Sequence, residues 1–206
     1  MNIIKSCDQG SLEWLSLRLG KVTASRMSDV LSNGRGAAPS KSAETYMMEL
    51  IAEKLTGQSK PFFENDAMRW GTETEPQARA MYQINNDFVN VEEVAFVEHN
   101  EFIGISPDGL IGEDGLLEIK CPNTTTQLKR ALSDDYSADY KAQIQCQLWV
   151  TEREWCDFVS FDPRLDCKAS YLQQRVMRDE KFIKEMQEKT YLFVDKMNEL
   201  IEKLSA

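Results

Sequence analysis

The chain opens in a helical rhythm. Over residues 10–20, GSLEWLSLRLG, Leu12, Leu15 and Leu19 recur at helical spacing, and Trp14 and Arg18 lie four apart on a neighbouring face. TASRMSDVL follows as a helix start, with Thr23 or Ser25 as N-cap and Asp29 in the early turns. Gly, Pro and Ser dominate residues 33–42, which predicts a loop. Two further helices are expected. One is AETYMMELIAEKLTG, ended by Gly57. The other covers about residues 66–84, where Gly71 and Pro76 predict a kink or a break.

The period then shortens. VNVEEVAFV, EFIGISPD and GLLEIKC are short, rich in β-branched residues and separated by turn residues, and they predict a small antiparallel meander. Helical spacing returns over residues 136–150. WCDFVSFDP and KASYLQQRVM read as two more strands. Residues 179–204 predict a long amphipathic helix with Phe182, Met186, Phe193, Met197, Leu200 and Leu204 on one stripe. Helices, three strands, a helix, strands and a helix describe an α/β fold with a mixed sheet.

Length changes this picture little: 206 residues suit one domain over 1–206 and suffice for a substantial core. No run approaches the roughly 18 apolar residues of a membrane span. MNIIKSCDQGS lacks the apolar stretch of a secretory signal, so a cytoplasmic protein is expected. The five cysteines form no CxxC pair, which argues against a zinc site or a disulfide framework and predicts small buried hydrophobes. His99 is the one histidine; in VEHNE it reads as part of a surface turn. A net charge of −10 argues against a simple nucleic-acid binder. A local basic groove can nevertheless coexist with an acidic exterior, and carboxylates that bind a divalent ion add to the negative count.

The densest chemistry lies in SPDGLIGEDGLLEIKC, residues 106–121. Side chains alternate along a strand, so Glu118 and Lys120 share one face, while Leu117, Ile119 and Cys121 share the other and face the core. Asp108 precedes Glu118 by ten residues, across a turn, and paired strands would let the two carboxylates converge. Two close carboxylates call for a cation between them, and hard oxygen donors suit Mg²⁺ or Mn²⁺. An exposed hairpin with a Glu118–Lys120 surface pair fits the same residues.

Asp108 followed by Glu118-Ile119-Lys120 resembles the PD-(D/E)XK nuclease superfamily, and SPDG with LLEIKCP resembles its phage lambda-type exonuclease branch. WLSLRLGKVTAS (14–25), RWGTETEP (69–76), YKAQIQCQLWVT (140–151) and FDPR (161–164) agree in order, so the likeness runs from about residue 10 to 200. It implies a restriction-endonuclease-like core with a central mixed β-sheet flanked by helices. It also implies that Asp108, Glu118, the Ile119 carbonyl and Glu75 hold a pair of Mg²⁺ ions.

 Mn²⁺ is the implied substitute. Lys120 is the implied catalytic lysine, and Gln143 the implied helix glutamine beside it.

The same likeness assigns Arg18, Ser25 and Ser106 to a pocket for a 5′-terminal phosphate, where an arginine fork and free N–H groups at a helix start suit an anion. Met68 falls where the family has an apolar wedge against the terminal base pair. Thr126 stands where the family can carry a phosphate-binding arginine, and Lys129 or Arg130 are the replacements the loop could bring round. Tyr140, Gln143 and Gln147 share a helical face, which suits contact with phosphate or plain solvent exposure. Glu73 reads as solvated, and Glu98 fits either an acidic family position or a charged strand end.

The implied activity is a Mg²⁺-dependent 5′→3′ exonuclease on double-stranded DNA ends, preferring 5′-phosphorylated ends. It would release 5′-mononucleotides, work as a homotrimeric ring in a bacterial or prophage setting, and act with a single-strand DNA annealing protein. An endonuclease of restriction or repair type is the enzyme alternative. A partner-binding module with an acidic surface is the alternative without catalysis.

Overall fold

A computed structural model describes residues 1–34, 39–60 and 65–205. Residues 35–38 of the expected loop lie outside them. The chain begins with β1 (Asn2–Ile4), α1 (Leu12–Arg18), β2 (Val22–Thr23), α2 (Met27–Leu31), α3 (Lys41–Thr56) and α4 (Asp66–Asn85). Five short strands follow: β3 (Val91–Glu92), β4 (Phe96–Glu98), β5 (Ile103–Ile105), β6 (Gly109–Ile111) and β7 (Gly115–Lys120). Then come α5 (Thr124–Ala131), α6 (Lys141–Thr151), β8 (Trp155–Phe161), β9 (Tyr171–Met177) and α7 (Glu180–Ser205).

Local chemistry sets the helix ends. The Ser11 hydroxyl accepts the Trp14 N–H at the start of α1, and Ser40 accepts from Ala43 at the start of α3. Gly57 closes α3 in the left-handed region, at φ 67°. The expected caps Thr23 and Ser25 do not cap: a 3₁₀ turn over Ala24–Arg26 leads into α2, and neither start carries a side-chain cap bond. Leu12, expected on the apolar stripe of α1, faces solvent. Pro76 and Gly71 sit inside an uninterrupted α4, so the expected break is absent there.

The strands form two sheets rather than one meander. A four-stranded sheet runs β1-β4-β5-β2, and a five-stranded sheet runs β3-β6-β7-β8-β9. The chain passes for the last time from the smaller sheet to the larger at Ser106-Pro107-Asp108, between β5 and β6. Proline has no N–H for a ladder, so pairing ends there. Within the larger sheet β7 and β8 are parallel and the other pairs antiparallel, which gives the expected mixed sheet. A parallel pair needs a crossover, and α5 with α6 supplies it.

Both faces of the larger sheet are covered. Leu116, Cys156 and Phe158 join the main core with Ile144 and Leu148 of α6 and residues of α2, α3 and α7. Leu117, Ile119, Val159 and Phe161 pack with Ala78 and Tyr82 of α4 on the other side. The expected single core face of β7 is thus two buried faces. In the smaller sheet a Cβ on Gly104 would overlap the Phe96 ring, so only glycine fits beside that buried aromatic. α7 buries Ile183, Met186, Thr190, Phe193, Val194 and Met197, while Leu204 at the end of the expected stripe is exposed. Among the described residues no helix is long and apolar enough to cross a membrane. All five cysteines are free thiols; Cys146 and Cys156 are buried as expected, whereas Cys167 is exposed. His99 is half-buried against Trp149, with ring centroids 5.2 Å apart, rather than in an open turn.

Candidate active site

β6 and β7 pair Gly109 with Leu117 and Ile111 with Gly115, making a tight ribbon. Asp108 stands at its open end, and Asp108 Oδ2 accepts the Ile119 N–H at 2.6 Å. Glu118, next to that amide, is fully buried under α6. Its carboxylate accepts from Gln143 Nε2 at 2.5 Å on Oε1 and from Gln147 Nε2 at 2.7 Å on Oε2. Lys120 Nζ lies 2.5 Å from the same Oε1. The exposed surface pair is therefore overturned: the shared face of Glu118 and Lys120 is covered by a helix.

Glu75 approaches from α4 and is gripped by Arg79, whose Nη2 donates to Oε1 at 2.6 Å. Burial pushes the Asp108 carboxyl well above its usual range, the Glu118 charge adds to this, and Lys120 opposes it. Burial likewise raises Glu75, with Arg79 opposing and Glu118 reinforcing. Burial alone would lower Lys120, but the charges of Glu118 and Asp108 outweigh it and hold the ammonium above its ordinary value. The carboxylates thus feel one another across the site, an arrangement in which a cation is electrostatically welcome. Among the described residues no group of three His, Cys, Asp or Glu side chains is spaced to enclose an ion. The oxygen donors that do converge, Asp108 and Glu118, have the hard chemistry that suits Mg²⁺.

A second cluster lies just upstream. Ser106, two residues before Asp108, accepts from Trp14 Nε1 at 2.9 Å and from Arg18 Nη1 at 3.3 Å. The Arg18 guanidinium stacks on Trp14, 4.2 Å from the ring centroid, and burial pulls its pKa down. Arg18 opens into a cleft of about 340 Å³ that Ser25 and the half-exposed Met68 also line. Lys21, Arg26, Lys60, Glu49 and Glu53 also line it, so with Arg18 the cations outnumber the carboxylates in the cleft. Thr126 and Tyr140 belong elsewhere. Thr126 is exposed in the first turn of α5, its N–H bonded to Asn123. Tyr140 lies beside the Asp108, Glu118 and Lys120 cluster, with Lys120 Nζ 5.1 Å from its ring centroid. Glu98 pairs with Lys21, and Glu73 is exposed as expected.

A family model described as the YqaJ-like viral recombinase domain matches residues 13–154. The chain belongs to this family. It is 41% identical to an alkaline exonuclease, LHK-Exo, from Laribacter hongkongensis, covering 95% of this chain and 96% of that one at a TM-score of 0.87. The same exonuclease in complex with dAMP matches at 42% identity and a TM-score of 0.85, covering 94% of this chain and 96% of that one. A phage-related exonuclease from Haemophilus somnus 129PT shares the fold at 18% identity, with a TM-score of 0.72 over 89% of this chain and 96% of that one. An uncharacterized protein, R354, of Acanthamoeba polyphaga mimivirus is 30% identical over 174 residues, which is 76% of this chain. The chain spans 29% of the length of that curated relative. These matches place the fold in the lambda-type exonuclease branch of the PD-(D/E)XK superfamily.

Sequence reasoning missed two contributors to the site, Arg79 and Gln9, and left a third, Gln147, between phosphate contact and solvent exposure. Gln147 reaches Glu118 as directly as Gln143 does, and its place one turn further along α6 was the available signal. Arg79 touches Glu75, Glu93 and the Asp108 carbonyl. Gln9 Nε2 donates to the carbonyls of Val94 and Pro107 and so fixes the peptide before Asp108. Arg130 is not free to swing round to a phosphate. It is buried against β8, donates to Ser160 Oγ, and stacks 5.3 Å from the centroids of Tyr140 and Phe158.

Proposed function

We propose that this chain is a Mg²⁺-dependent 5′→3′ exonuclease that degrades one strand of double-stranded DNA from its ends. The observation that carries the reading is the meeting of Asp108, Glu118 and Lys120 at one end of the β6–β7 ribbon, two residues from the Arg18–Ser106 pair. The likeness to an alkaline exonuclease over nearly the whole chain supports it.

When bound, a divalent ion supplies Lewis-acid polarisation of the phosphodiester and makes water more acidic. Asp108, Glu118, the Ile119 carbonyl and Glu75 are the groups that would hold it. The remaining work falls to the chain itself. Arg18 and Ser106 offer N–H and O–H donors to a terminal phosphate, and Arg18 adds charge. Lys120 stays protonated, because the charges of Glu118 and Asp108 favour the ammonium. It therefore acts as a cationic donor to the phosphate oxygens rather than as a proton acceptor. Gln143 and Gln147 hold the Glu118 side chain in one orientation.

The reading includes 5′-mononucleotide products, 3′ single-stranded tails, a single-strand annealing partner and a trimeric ring. A ring has a solution mass three times the 23.6 kDa of the chain. The decisive assay is digestion of linear duplex, 5′-phosphorylated or 5′-hydroxylated, with and without Mg²⁺, beside closed circular DNA. Mg²⁺-dependent loss of the linear duplex alone is expected. Cleavage of the closed circle would move the assignment to an endonuclease. Lys120→Ala is expected to lower the rate at least about 100-fold while the chain stays folded and end binding holds; undiminished digestion would refute the role of Lys120.

A further inference from the structure

We infer that Arg79 is a positioning residue that locks Glu75 and the Asp108 segment into one metal-holding unit; this rests on the metal-dependent reading above. Arg79 is one turn beyond Glu75 on α4, and its side chain is only 14% exposed. Its Nη2 donates to Glu75 Oε1 at 2.6 Å and to the Asp108 carbonyl at 3.2 Å. Its Nη1 lies 2.8 Å from Glu93 Oε2, on the chain leading into β4. One guanidinium therefore ties a helix, the mouth of the β6–β7 ribbon and the segment between β3 and β4 together. All of these contacts line a single cleft with Glu75 and Asp108 in its wall.

A surface ion pair of the i, i+4 kind would end at Glu75 and stand in solvent. Arg79 differs in two ways. It is largely buried, with Nε shut off from solvent and without a hydrogen-bond partner among the described residues. Such a donor is costly to bury, and its cost is offset only by what the two Nη groups hold. The planar fork is also what lets one side chain hold a carboxylate and a carbonyl at once. With Oε1 engaged by Arg79, Glu75 presents Oε2, which accepts no hydrogen bond from the described residues. Arg79 thus fixes which oxygen of Glu75 faces the cluster and how far Glu75 stands from Asp108.

The test measures Mn²⁺ binding to the full chain without DNA, following free Mn²⁺ by electron paramagnetic resonance. Arg79→Met is expected to raise the Mn²⁺ dissociation constant about 10–100-fold, the usual effect of removing a group that orients a metal ligand. Its thermal melt is recorded alongside. Arg79→Lys keeps a charge that reaches Glu75 but cannot also reach the Asp108 carbonyl, and an intermediate loss is expected from it. Unchanged or tighter Mn²⁺ binding in a folded Arg79→Met overturns the inference. Should that variant not fold, wild-type affinity in Arg79→Lys overturns it instead. A wild-type chain that binds no Mn²⁺ sinks the metal-dependent reading, and this inference with it.

Discussion

Glu118 is a fully buried carboxylate whose oxygens are each claimed by a glutamine, with one lysine close by. Removing one partner leaves a buried acceptor unmatched, which costs about 1–3 kcal/mol. Gln147→Ala is therefore expected to lower the unfolding free energy by about that amount, measured by urea denaturation; a change within error would show that Gln147 is dispensable. The sequence displayed Gln143 and Gln147 on one stripe, yet polarity alone does not say whether a strand or solvent lies opposite. The answer came from β7, which has hydrophobes on both faces, Leu116 and Leu117, and so is covered on both. Arg79 was hidden for a related reason. Four residues from Glu75, it reads as an ordinary helix-surface pair until Asp108 is brought under it.

The elements themselves were legible where periodicity was strong, as in α3, α4, α7, β8 and β9. α5 was not expected, because three successive threonines, Thr124 to Thr126, carry low helix propensity. Asn123 and tertiary bonds outweigh that preference. The Asn123 side chain caps the helix, and the Thr124 hydroxyl donates to the buried Asp162 at the end of β8 at 2.7 Å. Arg164 also donates to Asp162 and stacks 4.0 Å over the Trp70 ring of α4. Burial alone would raise the Asp162 carboxyl, but the bonds from Arg164 and Thr124 outweigh it and hold the group below its ordinary value. A carboxyl lowered on folding adds stability above its unfolded value, near 4, and loses it as pH falls through the folded value. The denaturation midpoint is thus expected to drop below about pH 4. Asp162→Asn should lower the midpoint at pH 7 and flatten that acid limb; an unchanged acid limb would remove Asp162 from the account.

Taken together, a chain of net charge −10 concentrates cations where Arg18, Lys21, Arg26 and Lys60 share a cleft. Composition gave the sign of the average and could not give this local reversal, since the contributing segments are up to 42 residues apart in sequence and meet only on folding. Arg18→Ala is expected to blunt the preference for a 5′-phosphorylated end about tenfold or more, because a charge-assisted hydrogen bond contributes roughly 1.5–3 kcal/mol. Equal rate losses on phosphorylated and hydroxylated ends would detach Arg18 from phosphate recognition. The tripeptide joining that cleft to the carboxylates has a consequence of its own. Ser106 and Asp108 are separated by a single proline, so their Cα atoms stand at most about 7 Å apart, and Gln9 pins the carbonyl between them. Under the exonuclease reading this short, stiff span works as a calliper: the grip on the strand's end and the cutting groups cannot drift apart, and the size of each excised piece is written into the backbone.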